Sequence, residues 1–424
     1  MRPWLKRGLV SFVALFIAFC TALWVITRDE TPPDISDIAE TRPAVAENEN
    51  AFLGLLSIGS EVAARAKADA PLLATLTTPT FAADRDPAEA LAATSATKDL
   101  LPAWQAAVAL PASLAPAYRD ADNPPFPCSD LHRLGRLATL WAEAETATSP
   151  RHALLLDLAA LRAGYHITDS YDTLIVSLTG IACSNLALWH MQSVASRFPL
   201  PADLARQLIA GIESSRPTKP AFSAVLRNEV HFAVNYSSRL DLRKNFAMWA
   251  SMGFPPAPRG AEYFFKPNKT ARWTIDELRL ALTQIDERPL SEVSLPNPDR
   301  GSPELFWGLP NPENAAGRYL ARNSVITMEG VFALRLKHLS TFSALQAWLA
   351  ARAYQNDHGE IPPDLDSLVP TYLPRVPIDF CDAAPIRYSR ETRAIWSIGA
   401  KGYEVLDAKS PPTPGETDFR LPTD

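Results

Sequence analysis

Apolar residues recur at steps of three and four along most of this chain, the period of helices that bury one stripe. Phe52, Leu55, Leu56, Gly59, Val62, Ala63 and Ala66 mark a first helix, and shorter helical pieces are predicted at 87–98 and 102–110. Leu131, Leu134, Leu137, Ala138 and Trp141 form the next stripe, with Ser129 or Asp130 placed to cap it. Ser149-Pro150 opens a helix carrying Leu154, Leu155, Leu158 and Leu161, with proline at the first position, where its missing N–H leaves no bond unmade. Further helices are predicted from Asp169 or Ser170 to about Arg197, from Pro201 to Glu213, over 220–250, and from Thr270 or Thr274 onward. Residues 251–269 and 289–316 read as Pro-rich loops. Helices joined by short connections pack as antiparallel neighbours, so the fold class is mainly α, a helical bundle or solenoid-like stack.

One stretch breaks the period. Gly8 to Ile26 is apolar throughout and carries no charge, and about 19 such residues suffice to cross a bilayer core as a helix. Arg2, Lys6 and Arg7 precede it, and Asp29, Glu30, Asp34, Asp37 and Glu40 follow. The positive-inside rule then keeps residues 1–7 in the cytoplasm, makes 8–27 a membrane anchor and exports the remainder. No small-x-small cleavage site follows the run, so the anchor is expected to be retained. Residues 28–49, acidic and dotted with proline, are expected to form a flexible linker. The uncharged stretch Thr173–Trp189 contains Ser177, Thr179, Ser184 and Asn185 and is read as a core helix rather than a second span.

The C-terminal third changes character. Phe332, Leu336, Leu339, Phe342, Leu345 and Leu349 predict one apolar face on a long helix over about 325–356, ended by Gly359 as a left-handed cap. Ile361–Val369 reads as a short helix, Pro370–Pro377 as extended chain, and 386–388 and 394–398 as strands around a polar turn, with a third strand at 403–406. The expected division is therefore a helical domain at 50–320, a small α+β module at 325–407 (a long helix plus a two- or three-stranded antiparallel sheet), and a disordered tail at 408–424. Leu365, Leu368, Tyr372 and Leu373 are expected to dock near Phe342, Leu345 and Leu349.

Composition narrows the function. At 424 residues, 47% hydrophobic and net charge −6, the chain can build two or three packed domains and has no basic surface for nucleic acid. Of four cysteines, Cys128, Cys183 and Cys381 lie beyond the anchor, which allows one disulfide at most. Seven histidines are scattered, and no metalloprotease, nucleophile-elbow, phosphate-loop or dinucleotide motif is present. His166, Asp169 and Asp172 are the densest polar group, either an acid–base site or, as expected here, caps for the helix that follows. Glu229 and His231 are two apart and face different sides of one helix. Tyr263, Phe264, Phe265 and Trp307 are loop aromatics that suit packing more than sugar stacking. Asp379 and Asp382, among prolines, are expected to bond turn amides. No catalytic, cofactor or metal site is assigned.

The order Ala351-Arg-Ala-Tyr354, His358-Gly359, Ile361-Pro362, Leu365, Leu368-Val-Pro-x-Tyr-Leu-Pro374, Pro377-x-Asp379, Asp382, Pro385-x-Arg-Tyr388 and Trp396-Ser-Ile-Gly399 resembles the C-terminal half of type II secretion pseudopilins. The same ending is found in many uncharacterised anchored proteins of planctomycetes and verrucomicrobia. Phe265-Lys-Pro-Asn-Lys-Thr270 and Asn314-Ala-Ala-Gly-Arg318 are similar to that second group. The resemblance implies a long helix followed by a small antiparallel sheet in an anchored envelope protein. In pseudopilins a calcium loop follows the Ser-x-Gly turn; here the segment is Gly399-Ala-Lys-Gly-Tyr-Glu404, so no metal is expected. Anchor, resemblance and missing catalytic motifs together favour a non-enzymatic, periplasmic, secretion-associated or structural protein that binds a partner protein. The rival reading is an anchored hydrolase of an envelope polymer, its cleft lined by His166, Asp169 or the 251–269 loop.

Overall fold

The computed structural model describes residues 16–17, 20–21, 28–38, 42–77, 87–116, 128–239, 265–293, 314–399 and 418–422. The fold is mainly helical with one small antiparallel sheet. The chain divides into two compact units: Met1–Ala39 with Val230–Ala281 and Leu295–Met328, and Glu40–Glu229 with Leu282–Ser294 and Glu329–Asp424. The predicted apolar span lies almost wholly outside the described residues.

The larger unit begins with α1 (Ala51–Ala68), α2 (Ala70–Thr77), α3 (Pro87–Thr97) and α4 (Leu101–Val108). It continues with α5 (Cys128–Thr146), α6 (Pro150–Thr168), α7 (Leu174–Arg197) and α8 (Ala202–Ser214). Helices α1, α5, α6 and α8 follow the predicted stripes closely, while α2 has no predicted counterpart. Asn50 caps α1 by accepting from the Phe52 N–H at 3.1 Å, and Leu204, Leu208, Ile209 and Ile212 bury the inner face of α8. Helix α7 is long and apolar enough to cross a membrane, yet 67% of its most apolar window is buried by the rest of the chain. It crosses α6 at glycines. A side chain on Gly164 would strike Ser184, and one on Gly180 would strike Thr168, so only glycine permits this approach.

Helices α9 (Lys219–Arg239), α10 (Pro267–Glu287) and α11 (Ala315–His358) complete the set among the described residues. Helix α11 starts ten residues before the predicted 325, so the expected border between a helical domain and a C-terminal module falls inside one continuous helix. Every residue from Phe342 to Ala351 is buried. The apolar stripe marks one face, but Ala344, Ala347, Ala350 and Ala351 let neighbours close on the others. Helices α1 to α8 and the segment after Gly359 share a single apolar core with it.

That segment turns at Gly359, whose φ of +72° suits glycine and whose N–H donates to the Gln355 carbonyl at 2.8 Å. Leu365, Leu368, Tyr372 and Leu373 enter the same apolar core as Phe342, Leu345 and Leu349, with the Tyr372 ring against Tyr354 at 5.8 Å, nearer the end of the helix than predicted. The Tyr372 hydroxyl donates to Asp357 at 2.8 Å. Strand β1 (Arg387–Ser389) pairs with β2 (Ala394–Trp396), and β2 with β3 (Asp418–Arg420), all antiparallel. The predicted third strand at 403–406 lies outside the described residues. The expected disordered tail is corrected at 418–422. Phe419 and Leu421 alternate with Arg420 and are 1% and 3% exposed, a short strand hidden within a Pro- and Thr-rich stretch.

In the smaller unit, residues 28–38 depart from the expected flexible linker. They lie along α10 as a strap. Asp29 accepts from the backbone N–H of Asn268 (2.8 Å) and Lys269 (3.3 Å), Glu30 pairs with Arg272 at 2.9 Å, and Asp37 pairs with Arg279 at 2.8 Å. Pro33 and Ile38 are buried. Acidic, proline-dotted composition predicted a flexible linker; basic residues some 240 positions away pair with its carboxylates.

Candidate functional site

Helices α5, α6 and α7 each place one ionisable group at a common point. His190 Nδ1 lies 2.8 Å from Asp157, and its Nε2 lies 2.5 Å from Glu143. Asp157 is wholly buried and His190 is 3% exposed. Burial opposes charge on the imidazole, but Asp157 and Glu143 outweigh it and hold the His190 pKa up at about 9. Burial also raises Asp157, with His190 pulling the other way. At neutral pH the centre is an imidazolium clamped between two carboxylates. Both ring nitrogens are engaged, so the arrangement ties three helices together and offers no free nitrogen to a substrate. Positions 143, 157 and 190 sit on different helices, and no local pattern in the sequence links them.

The group His166, Asp169 and Asp172 does not converge. His166 Nε2 lies 3.2 Å from the Val108 carbonyl at the end of α4, and burial lowers its pKa to about 4. Asp169 instead accepts from Arg335 at 3.1 Å and from the N–H and hydroxyl of Thr218 at 2.7 and 3.0 Å. Arg335 is 1% exposed, donates to the Thr218 carbonyl at 2.7 Å and lies 4.7 Å from the Phe222 ring. An arginine inside the stripe Phe332–Leu336–Leu339 is the one signal from which this pair was readable. The expected capping by Asp169 or Ser170 is corrected: α7 starts at Leu174, later than predicted, and its first N–H donates to Glu229 at 3.1 Å. Burial, then the nearby Asp172 charge, raises Glu229 to about 7 against the pull of that N–H. His231, on the same helix, lies 3.3 Å from the Ile38 carbonyl, on a different side as predicted. Of the loop aromatics, Tyr263, Phe264 and Trp307 lie outside the described residues.

Asp379 is also wholly buried. It accepts from the Ser340 and Ser397 hydroxyls (2.7 and 2.9 Å), the N–H groups of Cys381 and Ile398 (3.0 and 2.9 Å) and Arg387 (2.8 Å). The expected turn bond is present, and four more donors fill the remaining lone pairs. Asp382 pairs with the other side of Arg387 and accepts from the Ala384 N–H. The described cysteines are all free. No three His, Cys, Asp or Glu among the described residues are arranged to hold a metal ion.

Two further places among the described residues gather polar groups. A groove of about 560 Å³ is lined by Arg42, Tyr171, Pro220, Ser223, Arg227 and Asp286. Its carboxylate already accepts from Ser223 at 2.7 Å and pairs with Arg227 at 2.8 Å. The other is the start of α10, a polar node in the smaller unit. Asn314, fully buried with φ of +52°, accepts from the Lys266 N–H at 2.8 Å and donates to the Thr270 hydroxyl at 3.1 Å. Gly317 abuts the same Thr270, where a larger residue has no room. The two short motifs at 265–270 and 314–318 thus meet in space, and the strap caps the same helix end. The node therefore joins the chain leaving the apolar run to the first turns of α10 and α11. No family model matches this chain, and comparisons with curated proteins and with solved structures returned no match.

Proposed function

We propose that this chain is a single-span membrane protein, N-terminus in the cytoplasm, whose exported helical body acts by binding a partner protein rather than by catalysis. The observation that carries this reading is the charge-flanked apolar run Gly8–Ile26. The buried polar centres support the non-catalytic part. Both nitrogens of His190 and both oxygens of Asp379 are engaged by neighbours inside the core, which is the behaviour of groups that hold a fold together. The sequence from Gly359 through β2, laid on a long buried helix, is consistent with a pseudopilin-like ending adapted as part of a larger core.

A reporter that is active only after export, fused behind Asp424, should be active, and a cytoplasmic reporter there should be silent. The reverse result sinks the topology. Crosslinking in intact cells should trap the body in a discrete higher-mass species. Turnover of an envelope polymer that is abolished by His166→Ala would replace binding with the hydrolase reading.

A further inference from the structure

We infer that the strap 28–38 holds the start of α10 against the lipid headgroup layer, making this end of the smaller unit a membrane-contact surface. The inference rests on the anchor reading and adds where the body meets the bilayer. Only Arg28 and Thr27 separate Asp29 from Ile26, the last residue of the apolar run. Three residue steps span at most about 10 Å however the chain runs. The headgroup layer on each side of a bilayer is roughly 5–8 Å deep. Asp29 therefore stays in or just above the headgroups.

Asp29 is not free at that depth. Its carboxylate is fixed to the N–H groups of Asn268 and Lys269, the first turn of α10. Asn268 donates to the Glu30 carbonyl at 2.9 Å, and Arg272 reaches both the Glu30 carboxylate (2.9 Å) and the Thr31 carbonyl (3.1 Å). Arg279 takes Asp37 two turns further along. Backbone and side chain both bind, and buried Pro33 and Ile38 pin the strap between its polar contacts. The start of α10 is thus carried to the membrane surface, while Asp276 and Leu280, about two and a half and three and a half turns on, stand progressively further along the helix. The occupant facing the half-buried residues 267–269 of this helix end is the lipid surface itself.

The test uses the full chain in vesicles of phosphatidylethanolamine and phosphatidylglycerol at three to one, with a photocrosslinking residue at Pro267, Asp276 or Leu280 and an alkyne-tagged lipid. Lipid adducts should be at least about fivefold more abundant from position 267 than from 280. The combined changes Asp29→Asn, Glu30→Gln and Asp37→Asn should bring that ratio near one while the protein stays in the carbonate-washed membrane pellet. Loss of the unmodified chain from the pellet would overturn the anchor reading itself. A pelleted chain with equal adducts at 267 and 280, or a ratio that survives the triple change, would overturn the strap inference alone.

Discussion

The centre at His190 and the centre at Asp379 bury the same kind of charge for opposite reasons. Around His190 the backbone is helical and already satisfies its own N–H and C=O groups. There Asp157 and Glu143 each answer a nitrogen of His190, and that pairing sets how three helices align. Around Asp379 the chain runs through turns and three-residue strands, where N–H groups lack partners. The Asp379 carboxylate replaces the missing secondary structure. A charge centre between helices is exchangeable in principle. One that completes a loop is not.

Asp379→Ala should have the largest effect. It strands two hydroxyls, two amides and Arg387, and should cost about 3–5 kcal/mol, the scale for breaking a buried pair. Thermal unfolding of the full chain measures it, and a loss below about 1 kcal/mol would break the comparison. Asp157→Ala should cost about 3 kcal/mol by leaving His190 short of a partner. The sharper test is the triple change Glu143→Leu, Asp157→Leu and His190→Met. An apolar trio of similar volume should restore stability to within about 1 kcal/mol of the natural chain. No such replacement should rescue the Asp379 site.

Protonation separates the buried histidines by sign. The pKa of His190 is raised to about 9, so its contribution is full below the unfolded value near 6.5 and is lost as pH rises through 9. That of His338 is lowered to about 3, by burial first and then by Arg335 and Arg216, while its Nδ1 donates to Asn185 at 2.8 Å. The unfolded chain takes up that proton first, so stability falls as pH drops below about 6.5. Difference curves of unfolding midpoint against pH, natural chain minus His190→Gln and minus His338→Gln, should slope in opposite directions. The smallest effect is expected from Asp382→Ala. Its pairing with Arg387 is partly exposed, and about 0.5 kcal/mol is the typical scale.

Periodicity located the helices because each has one buried stripe; α1, α5, α6 and α8 start within a few residues of their predicted positions. It failed where tertiary contacts decide. Thr173 rather than Asp169 precedes α7 because Asp169 is drawn to Thr218 and Arg335. The strap read as a spacer because Arg272 and Arg279 are far away in sequence. Asp379 was legible as a turn acceptor, but Ser340 and Ser397, its other donors, carry no local signal that they converge. The His190 centre was illegible for the same reason: three helices must pack before its members meet.

The buried stretch Phe342–Ala351 sets the order of events in assembly. Its walls come from helices early in the chain and from β3 near residue 420, where the Trp348 indole donates to the Arg420 carbonyl at 2.9 Å and Phe419 stacks on Trp189 at 5.4 Å. Such a core closes only when segments more than 200 positions apart are present together, a high contact order that slows folding. If the body is exported from residue 28 toward the C-terminus while residues 1–7 stay inside, its helices must wait outside the membrane, apolar faces unshielded, until residue 421 has arrived. Cleaving the chain after Ile398 should therefore leave a body that stays collapsed but never locks, and one that a holdase chaperone retains.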